Sequence, residues 1–515
     1  MGWIRSGDRV LNAAEFDERA RRAASVIEGF GVGKGDGVAL YLRNDLAYFE
    51  AVFGLGMLGA YPVPVNWHYT ADEAGYLLRD SGVKLLVIHA DMLPPIAAAI
   101  PDGLAVIVVA TPPEVKTAYG IGDTPVPPAL PLWDELVARA APLAREPEAA
   151  PSSIIYTSGT TGRPKGVKRP AFTPEQAAWV TTMLGWSYGY TDVIEGRRDP
   201  AEIVTAVIGP VYHAAPNAHS AFSIRIGANV VVMPRFDAEA LLQLIEREKI
   251  THLNMVPIMF NRLLRLPEDV KHRYDLSSLE YVTHAAAPCP PPIKRAMIEW
   301  WGPVINEYYG STEMGNVTNI TSEEWLAHPG SVGRVMPGVD LRIVDTEGND
   351  VPVGEPGEVI ARGRQSADFT YQNAPQKRAE MERQGLLAPG DIGYLDADGF
   401  LYLCDRKTDM IISGGANIYP AEIEAELHKL PGVADCAVFG IPDEEFGESV
   451  YAVVQPQPGV TLDPETLRAE LRKTLAGFKT PRRIDFADIL PREDSGKIFK
   501  RKLREPFWAG RERSI

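Results

Sequence analysis

Short apolar, β-branched runs alternate with amphipathic segments through the first four-fifths of the chain, and this order restricts the fold more than any other feature. Five of the runs are typical of buried strands: Gly37–Leu42, Lys84–Ile88, Ala105–Ala110, Ile203–Ile208 and Asn229–Met233. Between them, apolar residues recur at helical spacing in Ala13–Glu28, Ala47–Leu58, Ala71–Ser81 and Ala238–Glu248. The alternation predicts an α/β fold whose parallel or mixed sheets are flanked by helices.

The pattern changes twice further along the chain. Turns and short strands in Val335–Ala361 predict a small antiparallel subdomain. After Leu401–Lys407 we predict an α+β unit with elements at Tyr419–Leu430, Asp435–Phe439, Ser449–Gln455, Asp463–Leu475 and Arg483–Phe486. The chain is therefore expected to form a large N-terminal domain, residues 1–405, and a smaller C-terminal domain, residues 406–515. The Pro- and Ala-rich stretch Pro112–Glu148 is predicted to be a surface excursion.

The composition is that of a globular protein with no general affinity for polyanions. Of 515 residues, 52 are Lys or Arg and 68 are Asp or Glu, so the net charge is −16 and nucleic acid is not expected as a partner. Cys289, Cys404 and Cys436 form no CxxC pair, which disfavours a zinc site or a disulfide framework. No signal peptide and no run of ~18 apolar residues is present, so we expect a cytoplasmic protein without an integral membrane segment. Peripheral membrane contact and a homodimer remain open.

The loop Tyr156–Gly166, YTSGTTGRPKG, combines glycines, hydroxyls and a single lysine after a short apolar run. Glycine lets the backbone approach a ligand closely, and backbone N–H groups, hydroxyls and a lysine can hold phosphate oxygens. The loop does not match a Walker A sequence, because Lys165 is followed by Gly166 instead of Ser or Thr. Taken alone, it is equally consistent with a solvated linker.

Four later segments also carry residues that can bind ligands: Tyr308–Glu313, Pro389–Gly393, Asp405–Gly415 and Ser495–Lys497. The first offers an aromatic face for a purine, hydroxyls for phosphate and a carboxylate for Mg²⁺, although taken alone it favours a buried turn with a solvated glutamate. In the second, Asp391 can accept ribose hydroxyls, although on local grounds a type I turn that begins at Asp is the favoured interpretation. The third is typical of a hinge or an ion-paired turn, and the fourth presents one lysine on a turn.

Four motifs follow one another along the chain: YTSGTTGRPKG, YYGSTE, PGDIGYLDADGFLYLCDRKTDMIISGGANIYPAEIE and a terminal SGK. In this order and spacing they make the chain resemble the adenylate-forming superfamily of acyl-CoA synthetases, firefly luciferase and nonribosomal-peptide adenylation domains. The resemblance extends from about Leu11 to about Leu503 and favours the acyl-CoA synthetases. It implies an AMP-forming acid–thiol ligase that uses ATP, Mg²⁺, coenzyme A and a carboxylic acid. It also implies a mobile C-terminal domain that rotates between the two half-reactions.

The resemblance assigns roles to individual positions. The phosphate-binding loop would be formed by Thr157, Ser158, Gly159, Thr160, Thr161 and Lys165. The adenine, ribose and α-phosphate would be held by Ala286, Ala287, Pro288, Tyr309, Gly310, Thr312, Asp391 and Arg406. The catalytic residues would be Thr312, Glu313, His213 and Lys497. Glu313 would bind Mg²⁺, and Lys497 would bridge the acyl carboxylate and the α-phosphate. The acyl pocket would include His213, Ala214, Ala285 and Tyr308. The CoA channel would include Gly414 and Gly415. The hinge would be Thr408, at a position where relatives usually have Asp or Lys.

The expected substrate is a hydrophobic monocarboxylate. No acidic residue occurs in Val211–Ser223, beside the expected acyl pocket, where an amino-acid activator would carry an Asp for the substrate amine. Fatty acids are favoured, and aryl and steroid-side-chain acids are the alternatives. The chain ends soon after Leu503 without a carrier domain, which favours diffusible CoA. A different acceptor, a luciferase-like oxygenase and a catalytically silent nucleotide-binding protein remain the other hypotheses.

Overall fold

Four sheets and the helices packed on them organise the part of the chain that the structure describes. The structure is a computed structural model, and it describes residues 2–149, 151–157, 164–492 and 498–509. Three of the sheets lie in the first four-fifths of the chain and the fourth lies in the last fifth. The predicted α/β architecture with a smaller C-terminal α+β unit is confirmed.

The first part of the chain alternates strands and helices as predicted. Its elements are β1 (Trp3–Ser6), β2 (Arg9–Asn12), α1 (Ala13–Gly29), β3 (Gly37–Tyr41), α2 (Leu46–Met57), β4 (Tyr61–Pro64), α3 (Ala71–Ser81), β5 (Leu85–His89), α4 (Leu93–Ile96), β6 (Ala105–Val109), α5 (Pro113–Tyr119) and α6 (Trp133–Arg139). Strands β4, β3, β5 and β6 form a parallel sheet. Val38 and Leu40 pack on one face and Ala39 and Tyr41 on the other, because successive side chains of a strand point in opposite directions.

The middle of the chain begins with the strands on either side of the glycine-rich loop. Its elements are β7 (Ile155–Thr157), β8 (Lys165–Lys168), α7 (Pro174–Tyr188), α8 (Thr191–Ile194), β9 (Val204–Val207), α9 (Ala214–Ile226), β10 (Asn229–Val232), α10 (Ala238–Glu248), β11 (His252–Met255), α11 (Pro257–Leu264), α12 (Glu268–Lys271), β12 (Tyr281–His284) and α13 (Pro291–Trp301). Strands β10, β9, β11 and β12 are parallel neighbours in a large mixed sheet. Their carboxyl ends therefore meet at one edge, where ligands of open α/β sheets usually bind.

The antiparallel half of the large sheet follows. Its elements are β13 (Ile305–Ser311), β14 (Gly315–Ile320), α14 (Ser322–Ala327), β15 (Gly333–Val335), β16 (Val339–Val344), β17 (Gly357–Gly363), β18 (Thr370–Tyr371), α15 (Pro375–Glu380), β19 (Glu382–Arg383), β20 (Leu386–Leu387), β21 (Asp391–Leu395) and β22 (Phe400–Arg406). Strand β13 pairs in parallel with β12 and antiparallel with β14, so it joins the two halves. The antiparallel pair β16 and β17 matches the predicted subdomain at Val335–Ala361.

The last part has its own sheet and its own buried clusters. Its elements are β23 (Ile411–Ser413), β24 (Ala416–Ile418), α16 (Pro420–Leu427), β25 (Val433–Asp443), β26 (Gly447–Pro456), α17 (Pro464–Leu471), β27 (Arg483–Phe486) and α18 (Lys500–Trp508). Helices α16 and α17 share an apolar cluster with β25 and β26. Each predicted element of this part is confirmed, although both helices end a few residues earlier than predicted. The boundary between residues 405 and 406 stays a prediction.

The prediction that Pro112–Glu148 is a surface excursion holds for most of the segment, whose residues are largely exposed or half-buried. It missed two short helices, α5 and α6, which anchor the segment through the fully buried side chains of Val115, Trp133 and Val137. The indole Nε1 of Trp133 donates a 2.9 Å hydrogen bond to the buried carboxylate of Glu50. The Pro- and Ala-rich composition hid these helices because each has only one or two fully buried side chains.

Among the described residues, we find no helix with the length and apolar composition needed to cross a bilayer.

Candidate active site

A cavity of about 1540 Å³ lies between the large N-terminal part of the chain and its C-terminal residues. Twelve of the predicted site residues line it: Thr157, Lys165, His213, Ala214, Ala285, Ala286, Tyr308, Gly310, Thr312, Glu313, Arg406 and Thr408. They are distant in sequence: several follow the carboxyl ends of β9, β12 and β13 in the large sheet, whereas Thr157 and Lys165 belong to the three-stranded sheet of β7, β8 and β18. The structure thus brings most of the predicted site together around one space.

Tyr309 and Asp391 form a hydrogen bond beside this cavity. The phenolic Oη of Tyr309 donates to Oδ2 of Asp391 over 2.7 Å, and both residues are buried. Asp391 begins β21 and is the register partner of Arg406, whose Nε lies 3.3 Å from Oδ1 of Asp391. Burial and the Asp391 carboxylate raise the pKa of Tyr309 well above its ordinary value, so the phenol keeps its proton. An aromatic ring, a carboxylate and a guanidinium are therefore held as one unit.

The turn between β13 and β14 depends on Gly310 and Ser311. A Cβ at Gly310 would lie 2.2 Å from the carbonyl oxygen of Gly315, so the turn leaves no room for a side chain. The hydroxyl of Ser311 accepts hydrogen bonds from the backbone N–H groups of Glu313 and Met314, at 3.2 and 3.0 Å. These bonds fix the backbone of the turn and direct its following residues toward the cavity.

Glu313 is the carboxylate of this turn, and Tyr371 holds it. The phenolic Oη of Tyr371 donates to Oε1 of Glu313 over 3.0 Å, and Nζ of Lys165 lies 5.6 Å from the centre of the Tyr371 ring. A carboxylate oriented by one donor and open to a cavity suits a hard cation such as Mg²⁺. The donor set present is therefore compatible with the metal that the family resemblance implied.

The segment after β12 has an unusual backbone conformation. Ala286 has a φ of 73°, in the left-handed region that a residue with a Cβ adopts at an energetic cost. Ala285 and Ala286 line the cavity, whereas the neighbouring Ala287 and Pro288 are not among the lining residues. His284, which ends β12, is the register partner of Glu307 on β13. The two strands therefore carry the alanine segment and Tyr309 to the same place.

Helix α9 borders the acyl side of the cavity. His213 is its N-cap residue and packs against Tyr212, with ring centroids 4.4 Å apart. Ala285 and Tyr308 belong to a buried cluster that also contains Phe222 of this helix and other aromatic residues. Burial lowers the pKa of His219, on the same helix, to about 3, so that imidazole is neutral. Near His213 this wall of the cavity is aromatic and apolar, and the charged residue of α9, Arg225, lines the cavity near the other end of the helix.

C-terminal residues close one side of the cavity. Arg406 and Thr408 line it, as do Arg492 and Phe499, which lie immediately outside the segment 493–497. Gly414 and Gly415 lie at the turn between β23 and β24 and are not among the lining residues.

Five predicted site residues lie outside the part of the chain that the structure describes: Ser158, Gly159, Thr160, Thr161 and Lys497. Their roles stay predictions. The strands on either side of the glycine-rich loop are described, and Thr157 and Lys165 are register partners in β7 and β8.

Two family models match the chain. The model of the AMP-binding enzyme matches residues 3–368, and that of the AMP-binding enzyme C-terminal domain matches residues 422–497. The first alone covers well over half of the chain.

The chain belongs to the AMP-binding enzyme family.

Curated relatives and solved structures agree with this membership. The AMP-binding enzyme is 34% identical over 508 residues to the feruloyl-CoA synthase of Amycolatopsis sp, covering 98% of this chain and 95% of the relative. It is 32% identical over 515 residues to the long-chain-fatty-acid–CoA ligase FadD13 of Mycobacterium tuberculosis, with 98% and 94% covered. The crystal structure of ATP-bound MatB from Rhodopseudomonas palustris has a TM-score of 0.83 and 28% identity, with 98% and 96% covered. The predicted family and the class of acid–thiol ligase are confirmed.

Sequence reasoning missed two side chains that organise the site of this AMP-binding enzyme. Arg169 donates from Nη2 to the carbonyl oxygens of Thr312 and Glu313, at 2.8 and 2.7 Å. Tyr371 holds the carboxylate of Glu313, as described above. For Arg169, the only signal in the sequence was its position as a basic residue shortly after the glycine-rich loop. Nothing local marked Tyr371, because its role arises from the pairing of β18 with β8.

Proposed function

We propose that this protein is an AMP-forming acyl-CoA synthetase. A carboxylic acid would react with ATP to give an acyl-AMP and pyrophosphate, and CoA would then displace AMP to give the acyl-CoA. The observation that carries the proposal is that Asp391 is hydrogen-bonded to Tyr309 and ion-paired with Arg406 beside the cavity that Thr312, Glu313 and Lys165 line. This set offers contacts for a base, a ribose and phosphates, which suits a nucleoside triphosphate.

The proposed nucleotide contacts follow from the chemistry of each side chain. The Tyr309 ring would stack on adenine, with Ala286, Ala287 and Pro288 on the other face. Asp391 and Arg406 would bind the ribose hydroxyls. Gly310 and Thr312 would contact the α-phosphate, and Thr157 to Thr161 with Lys165 would surround the leaving pyrophosphate.

Glu313 is the proposed ligand of Mg²⁺. When bound, the ion would reduce the repulsion between an anionic carboxylate and an anionic triphosphate. Tyr371 orients the Glu313 carboxylate, and Arg169 fixes the backbone that carries it. Lys165 and Lys497 would add positive charge near the oxygens of the pentacoordinate α-phosphorus, where negative charge lies in the transition state.

The proposed second half-reaction depends on the C-terminal domain, with its boundary at residues 405 and 406 and its hinge at Thr408. In the arrangement described here, Arg492 and Phe499 face the cavity and Gly414 and Gly415 do not. This favours the adenylation state of the proposed cycle. Rotation about Thr408 would bring the Gly414–Gly415 turn to the cavity, where it would line the path of the CoA thiol.

The proposed acid has an extended, mostly apolar body. Along α9 the cavity is bordered by Ala214, Ala218 and Ala221, and Tyr188 and Tyr308 also line it. Fatty acids are favoured and aryl and steroid-side-chain acids are alternatives. The relatives named above include ligases for an aryl and for a long-chain fatty acid, which supports both classes. His213, at the mouth of this pocket, would lie beside the reacting carboxylate.

The experiment is a screen of fatty, aryl and steroid-side-chain acids with ATP, Mg²⁺ and CoA. Pyrophosphate and AMP would be measured separately, with and without CoA. We expect acid-dependent pyrophosphate release for at least one acid and AMP release only when CoA is added. Oxygen uptake without CoA would instead indicate an oxygenase, and ATP binding with no product from any acid would indicate a silent nucleotide-binding protein.

A further inference from the structure

Helix α9 runs along the cavity from the proposed reaction centre to its far end. His213 precedes the helix and Arg225 lies in its last turn, and both line the cavity. Ala214, Ala218 and Ala221 line it between them. At 1.5 Å per residue, the backbone positions of Ala214 and Arg225 are separated by ~16 Å along the helix axis. The cavity therefore has space for a long acid, with a cation at its far end.

Arg225 differs from every other described cation that lines the cavity. Eight others have a partner through an ion pair, a hydrogen bond or an aromatic ring: Lys165, Arg169, Lys377, Arg383, Arg406, Lys407, Arg492 and Lys502. Within the described ranges, the Arg225 side chain has no hydrogen bond, ion pair or aromatic contact. Burial lowers the pKa of its guanidinium, and no carboxylate acts in the opposite direction. The residue is nevertheless exposed in the structure, so its cation is open to a ligand and has no counter-charge in the described part of the protein.

The surroundings of Arg225 leave room for a ligand. Val52 and Gly56, on successive turns of α2, also line the cavity, and a Cβ added at Gly56 would meet no atom within 4 Å. Arg225 also borders a second cavity of about 230 Å³, together with Phe53 and Met57 of the same helix. The far end of the acid site is thus an open, largely apolar space between α2 and α9 with one unpaired guanidinium.

We propose that Arg225 is a specificity-determining residue that binds a second anionic group at the far end of the acid. The proposal rests on the proposed function and narrows its substrate to an acid with an apolar body and a distal carboxylate. It revises the plain monocarboxylate that the sequence predicted. A guanidinium can hold a carboxylate through two parallel hydrogen bonds, and an apolar terminus in the same place would leave the charge unpaired.

Two non-hydrolysable acyl sulfamoyl adenosines provide the test. One carries a dodecanoyl chain and the other the same chain with a terminal carboxylate. Both share the adenosine part, so both should bind if the proposed function holds. Dissociation constants would be measured by calorimetry for the full-length protein and for its variants Arg225→Met, Arg225→Lys and Arg139→Met. The last variant is the control, because Arg139 is exposed and does not line the cavity.

We expect Arg225→Met to weaken binding of the carboxylate-terminated analogue by about ten- to a hundredfold and to leave the methyl-terminated analogue within about twofold. Arg225→Lys should give an intermediate loss for the first analogue, because lysine keeps the charge but not the paired geometry. Arg139→Met should match the unmodified protein. Equal losses for both analogues, or none, would overturn the proposal for Arg225. Failure of both analogues to bind the unmodified protein would overturn the proposed function itself.

Discussion

Lys294 and Glu307 form an ion pair that is closed to solvent, with 2.6 Å between Nζ and Oε2. Lys294 projects from α13, and Glu307 lies on β13 two residues before Tyr309. Oε2 of Glu307 is also 3.4 Å from Nε2 of His284, which ends β12. Burial, followed by the charge of Lys294, lowers the pKa of His284 well below its ordinary value, so its ring is neutral. The pair ties α13 to β13, the strand that carries Tyr309.

Lys294→Met is expected to destabilise the fold by about 3–5 kcal/mol, because it leaves the Glu307 carboxylate buried without a counter-charge. The measurement is chemical unfolding followed by fluorescence. Lys249→Met, which breaks an exposed pair with Asp275, is the control and should leave the unfolding midpoint nearly unchanged. The double variant Lys294→Met, Glu307→Leu should be more stable than Lys294→Met alone. A midpoint for Lys294→Met equal to that of the control would contradict this account.

Ala286→Gly is expected to raise the free energy of unfolding by about 1 kcal/mol, since glycine adopts the positive φ of this position without steric cost. Ala285→Gly is the matched control, because Ala285 is buried and its φ is not positive. The control should lower the free energy of unfolding. If both variants are destabilised equally, the strain at Ala286 is not present in solution.

Asp405, at the predicted domain boundary, should make the stability of the protein depend on pH. Burial raises its pKa from 3.8 to about 6, with Lys500 opposing and Glu424 and Asp409 reinforcing the shift. Between pH 3.8 and about pH 6, the folded state therefore binds one more proton than the unfolded state. This contribution to stability is fully present below pH 3.8 and is lost as the pH rises through about 6, by an amount on the order of 2–3 kcal/mol.

Asp405→Asn should remove this dependence, because the amide does not titrate. Thermal unfolding midpoints of both proteins would be recorded from pH 4 to pH 8, roughly the range over which such a group titrates. We expect the variant to lose less stability than the unmodified protein as the pH rises. Parallel profiles would show that Asp405 does not titrate in this range.

The sequence predicts a residue's role well when that role depends on its neighbours in the sequence, and poorly when it depends on a partner that is distant in the sequence. The periodic strands and helices of the first part were predicted to within two residues at each end, because burial repeats with the period of the element. Asp391 and Arg406 stood out through their motifs. Arg169, Tyr371 and Lys294 did not, since each acts on a partner more than ten residues away that only tertiary structure brings close.

The proposed role of Arg225 could not be predicted from the sequence either. Its sequence context, an arginine in the last turn of a helix, is a common and favourable arrangement that indicates nothing about a ligand. Its significance comes from the absence of any partner in the described part of the chain and from the cavity that it faces. Trp133 was missed for a related reason, because local composition did not reveal its partner Glu50.

Glu313→Gln is expected to reduce the rate of adenylation by about 10²–10³, since the amide has a similar shape but no charge for the metal. Tyr371→Phe should have a smaller effect, about five- to tenfold, because it removes one hydrogen bond to the same carboxylate. Both would be measured as acid-dependent pyrophosphate release over a range of Mg²⁺ concentrations. Glu380→Gln, which changes another cavity-lining carboxylate paired with Lys377, is the control. A loss in Glu380→Gln equal to that in Glu313→Gln would remove the special role of Glu313.

The formation of an acyl-AMP is the central claim, and exchange of labelled pyrophosphate into ATP tests it most directly. The assay contains the protein, ATP, Mg²⁺, labelled pyrophosphate and a carboxylic acid, with CoA left out. We expect label to enter ATP only when a suitable acid is present and to stop entering when Lys497 is replaced by alanine, while CoA still attacks supplied acyl-AMP. Binding of ATP without exchange for any acid in the panel would contradict the account.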